Sequence, residues 1–136
     1  MKEVVKKVSL VEPIDVETIR VKRYPLFKDA YVIDLPLTEE PNYIWRIFFE
    51  QEVKSSLHLW ERKIVIVGRT LKLITTPTRI REKIEWLKKV IEKTNSRIDE
   101  YNKALEEARK AEEAIKRVDE EAMKRIRDEI RWVTRR

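Results

Sequence analysis

Side-chain chemistry in this 136-residue chain would have to start at His58, the only histidine, which follows two serines in Ser55-Ser56-Leu57-His58-Leu59-Trp60. Serine beside imidazole suggests nucleophilic catalysis. A triad, however, is a constellation in space with an acid that orients the imidazole, and adjacency in sequence supplies neither geometry nor acid. The plainer reading is a loop histidine at a helix end.

A second constellation is Glu61-Arg62-Lys63 with Asp34 upstream, which superficially matches the acidic and E-x-K elements by which a large nuclease superfamily holds a divalent metal. There the acid and lysine lie within hairpin strands and converge on one ion. Here Glu61 precedes its strand and Asp34 closes another. Charged residues flanking a buried strand account for the same letters, and a divalent-metal nuclease is the weakest of three functional readings.

Other chemistries lack their parts. One glycine rules out any phosphate-cradling loop of the G-x-G-x-x-G or P-loop kind. The absence of cysteine removes disulfides, thiol catalysis and thiolate metal sites. No calcium-loop spacing occurs. The expectation is a non-enzymatic protein with no cofactor and no metal.

A basic run closes the chain. Lys124, Arg125, Arg127, Arg131, Arg135 and Arg136 stand against only Asp128 and Glu129, interleaved with Ile126, Ile130, Trp132 and Val133. Such an end could lie along phosphates. Cations also complement a helix C-terminus, so the run is compatible with a solvated helix end. Nucleic-acid association through residues 124–136 is therefore the second reading, with Trp132 as the aromatic anchor of any partner.

The element carrying that run begins at Thr76-Pro77, with Thr76 placed to cap and Pro77 at the first helical position. No Gly or Pro follows. The stripe Ile80, Ile84, Leu87, Ile91, Thr94, Ile98, Tyr101, Leu105, Ala108, Ala111, Ile115, Val118, Ala122, Ile126, Ile130, Val133 advances by about 3.5 residues per step, the coiled-coil period. Steps of four and three alternate up to Ala108; beyond it the stripe shifts around the helix, predicting a change of partner or a bend near residues 108–122. Acid-then-base pairs four apart, such as Glu85 with Lys89 and Glu121 with Arg125, favour helix throughout. One continuous helix is expected, its first half docked on the body and its second half, from Ile98 to Val133, facing another helix.

Upstream, alternation predicts strands at Val4–Leu10, Val16–Lys22 and Ala30–Leu35, with Pro13 and Asp15 in a turn. Thr38-Glu39-Glu40-Pro41 predicts the start of a helix running to Val53, with Ile44, Trp45, Ile47, Phe48 and Phe49 on a buried face and Ser55 and Ser56 at its end. Ile64–Val67 and Thr70–Thr75 flank Gly68-Arg69 as a two-residue hairpin. The fold class is α+β: a small antiparallel sheet in the order β-β-β-α-β-β-α, a buried helix and a long C-terminal coiled-coil-like helix. Residues 1–105 should form the body and 106–136 the projecting or partner-packed end.

Charge is +6, with 41% charged residues, a thermophile-like composition rich in potential ion pairs. The apolar residues of MKEVVKKVSLVEP are broken by charges, and the longest aliphatic run, Ile64 to Val67, cannot span a bilayer. The expectation is a cytoplasmic protein with no membrane contact. The leading functional reading is oligomerisation, as a homo-oligomer or with a partner helix, through Ile98, Tyr101, Leu105, Ala108, Ala111, Ile115, Val118, Ala122, Ile126, Ile130 and Val133.

Overall fold

In a computed structural model, which describes residues 4–26, 28–56 and 64–135, the chain is α+β. β1 (Val21–Arg23), β2 (Tyr31–Pro36), β3 (Ile64–Val67) and β4 (Thr70–Thr75) form one antiparallel sheet in the order β1-β2-β4-β3. α1 (Tyr43–Ser55) lies between β2 and β3, and α2 (Ile80–Thr134) follows β4 after a 3-10 turn at Pro77–Arg79. Among the described residues, no helix is long and apolar enough to cross a membrane.

Pleating sorts the central strands. Ile33 pairs with Leu73 and Leu35 with Leu71, and these four are buried on one face. On the other face Asp34 opposes Lys72, joined by a 3.2 Å ion pair across the strands. The β3–β4 hairpin turns at Gly68, whose φ of 59° is a conformation that only glycine adopts freely.

The sheet has one strand fewer than expected at its start. Residues 4–9 run without strand pairing, and only Leu10 bridges, to Leu37. Val5, Val8 and Leu10 are nonetheless buried, so the apolar signal is real while the period-two reading is not. The physical reason lies in Asn95 of α2, whose amide accepts from Val8 N at 3.2 Å and donates to Val8 O at 2.8 Å. One side chain thus satisfies a main-chain donor and acceptor that would otherwise need a ladder. The second candidate also shortens, because Asp15 accepts from Thr18 N and Ile19 N and folds residues 16–19 into a turn.

α1 starts four residues later than a cap at Thr38 would place it. Asn42 is its N-cap, its side chain accepting from Ile44 N at 2.7 Å, whereas Thr38 accepts from Ser9 N and from the Arg69 guanidinium. Trp45, Phe49 and Val53 are buried at helical spacing, while Ile44, Ile47 and Phe48 are only half-buried. Ser55 and Ser56 close the helix by donating to Glu52 O and Val53 O. At the other helix, Thr76 has the extended backbone of a cap, but its side chain makes no capping bond.

α2 is unbroken over 55 residues, as the lack of Gly and Pro predicts. Its buried face is Lys83, Trp86, Leu87, Val90, Ile91, Thr94 and Ile98. Ile80 and Ile84 of the predicted stripe are half-buried instead, and Lys83 takes the inward place, donating to Ile74 O at 2.7 Å. Two compact units are distinguishable, one ending at Glu100 and one running from Tyr101.

Candidate functional site

The predicted association residues divide sharply by burial. Ile98 is fully buried in the core, so it is a packing residue and is not available to a partner as the sequence suggested. Tyr101 and Leu105 are half-buried, and Ala108, Ala111, Ile115, Val118, Ala122, Ile126, Ile130 and Val133 are exposed. The large aliphatic members of this set retain 58 to 65% of their surface in solvent. Such a row is unusual, because singly scattered exposed apolar residues are ordinary but aligned ones are not.

The alignment follows from helix geometry. On a helix of 3.6 residues per turn, Ala111, Ile115, Val118, Ala122, Ile126 and Val133 fall within about 80° of arc, which Glu129 also shares. Ala111, Ala122 and Val133 are eleven residues apart, about three turns, so the row runs almost straight along the axis. The departure from the heptad after Ala108 is thus the change to an eleven-residue repeat. Ile130 sits at the edge of the arc.

The basic residues occupy a different face. Lys124, Arg127, Arg131 and Arg135 fall within a second arc of about 80°, centred opposite the apolar row. All four are exposed, and Arg131 has a loose 3.9 Å contact with Asp128. Arg125 lies on the flank of the apolar row. Arg136 is outside the described residues.

Ion pairs reinforce the helix from its own surface. Arg109 bridges Glu106 and Glu113, each at 2.6 Å. The Arg109 hydrogen bond and charge hold the Glu106 carboxyl below the usual glutamate range, and the same carboxylates raise the Arg109 guanidinium further above neutrality. In the body, Glu12, bonded to Lys88 at 2.7 Å, holds that ammonium above the usual lysine range. These groups are solvent-exposed, and their pairing is structural.

The body offers less. A groove of about 390 Å³ beside Asn95 is crossed by the Lys88–Glu12 pair and by Lys7–Asp99 at 3.4 Å, and Glu92 adds one further carboxylate to its lining. Ser55 and Ser56 are engaged at the end of α1, and Asp34 faces Lys72. His58, Trp60, Glu61, Arg62 and Lys63 lie outside the described residues. Among the described residues, no group of three or more His, Cys, Asp or Glu side chains is placed to hold a metal.

Comparison with family models, with curated proteins and with solved structures gave no match.

Proposed function

We propose that this is a non-enzymatic association protein whose C-terminal helical segment pairs with another helix through the row from Ala108 to Val133. The observation that carries the reading is the straight row of exposed Ile115, Val118, Ile126, Ile130 and Val133 on a helix with no covering element among the described residues. Burying the exposed part of each such side chain contributes about 1–2 kcal/mol, so ten of them in a matched pair of helices contribute on the order of 10–20 kcal/mol. Association costs about 4–15 kcal/mol. The balance favours pairing but leaves it dependent on concentration and on single residues of the row. Ala108, Ala111 and Ala122 add little area but let the helix axes approach closely.

The test is thermal unfolding of the full chain, followed by circular dichroism over a hundredfold range of protein concentration. Pairing makes Tm rise with concentration. Ile126→Asp should remove that dependence, and a wild-type Tm that stays constant would contradict the proposal.

A second reading rests on the shared face of Lys124, Arg127, Arg131 and Arg135, a row of cations suited to phosphates of a nucleic acid. It is compatible with pairing because it lies opposite the apolar row. Nucleic-acid binding by this face would weaken steeply with salt and be lost in Arg131→Glu/Arg135→Glu.

A further inference from the structure

We infer that the partner is a second copy of this chain, paired antiparallel about a two-fold axis beside Ala122; the inference rests on the association reading above. The first argument is the placement of the row. Reflected about position 122, Ala111 exchanges with Val133, so small meets large, Val118 exchanges with Ile126, so two aliphatic side chains pack together, and Ile115 exchanges with Glu129. Ala122 then stands at the crossing point, where a small residue permits the closest approach of the two backbones.

The second argument is charge. Residues 101–121 carry five basic and seven acidic side chains, whereas 122–136 carry six basic and two acidic. Antiparallel pairing lays the acidic half of each helix against the basic half of the other. Parallel pairing lays like on like, and sets Glu107 on one flank of the row against Glu112 on the opposite flank of the partner.

The third argument is local. Glu121 and Arg125 lie on the same flank, on either side of the proposed axis, and neither is ion-paired with another described residue, unlike Arg109 with Glu106 and Glu113. In antiparallel helices, residues of one flank meet the same flank of the partner. Glu121 of each copy therefore lies about 3 Å along the axis from the position opposite Arg125 of the other, within reach of two long side chains, and symmetry makes the pair twice.

The natural absence of cysteine gives a clean test in the full chain. Ala111→Cys, Ala122→Cys and Val133→Cys are each treated with a short bis-maleimide, alone and with Ala111→Cys and Val133→Cys mixed, while solution mass is measured by light scattering. Antiparallel pairing cross-links Ala122→Cys to itself and the mixed pair to each other. It leaves Ala111→Cys alone unlinked, because two such sites are separated by about 33 Å. A dimer in which Ala111→Cys and Val133→Cys each cross-link to themselves is parallel and overturns this inference while sparing the association reading. A monomer with no cross-link at the highest concentration overturns both.

Discussion

Trp45 of α1 donates its indole N–H to the Asn95 side-chain oxygen of α2 at 2.8 Å. Fifty residues separate the two, and the same amide also holds Val8, so one polar side chain locks the two helices and the N-terminal segment into a single arrangement. Apolar packing of Trp45, Leu87 and Ile91 supplies burial, but it does not fix register by itself. Asn95 does. Arg97 adds a second tie, donating to Gln51 at 2.8 Å and stacking 4.4 Å above the Phe48 ring.

Replacing Asn95 with Ala should lower stability by about 3 kcal/mol in urea unfolding, since four hydrogen bonds go, a long one to Ser9 Oγ among them, and the groups of Trp45 and Val8 are left without their partner. Asn95→Asp keeps the acceptor for Trp45 and loses the donor to Val8 O. Its carboxylate also meets Val8 O across what was a 2.8 Å hydrogen bond, so its cost should fall as pH drops and the acid takes up a proton, and a loss independent of pH would contradict that contact.

Gly68→Ala should cost about 1 kcal/mol through the backbone alone, because a Cβ at this position meets no atom within 4 Å and only the positive φ resists it. Gly68→Asn should cost less, as asparagine tolerates that conformation. Equal losses in chemical denaturation would point to a steric cause instead.

Acid should loosen the Glu106–Arg109 contact at a pH below the ordinary carboxylate range. The Glu106 pKa is depressed in the folded chain, so its contribution is present above the unfolded value and is lost as pH falls through the folded one. Carboxyl-carbon NMR should give Glu106 a midpoint that moves upward in Arg109→Gln. An unmoved midpoint would remove Arg109 as the cause.

Arg125→Glu should weaken self-association by roughly fivefold to tenfold at low salt, because it sets two acidic residues together on each side of the axis. Adding Glu121→Lys should restore most of the affinity, and salt should narrow the difference between the three proteins. Weakening by Arg125→Glu with no rescue by the second change would argue against a Glu121–Arg125 contact across the interface.

Much of the fold was legible from local signals. The uninterrupted α2, the Gly68-Arg69 hairpin, the serines that end α1, and the burial of Trp45 all follow from residue type and period. Three of the misreadings come from a polar side chain that bonds main chain where the sequence pattern suggests another partner. Asn95 stands in for a strand beside Val8, Asn42 takes the cap that Thr38 could have supplied, and Lys83 turns inward to Ile74 O. None leaves a periodic trace. The candidate surface was legible except at Ile98, where the stripe continues without a break from residues that face the core to residues that face solvent. Periodicity marks an apolar face but not what covers it.

The central claim, that exposed α2 residues pair two copies, is tested most directly by sedimentation equilibrium of the unmodified chain from low micromolar to millimolar concentration. The expected result is a reversible rise from the 16.5 kDa monomer to twice that mass, abolished in Ile115→Asp/Ile126→Asp. A wild-type protein that sediments at the monomer mass throughout that range would contradict it.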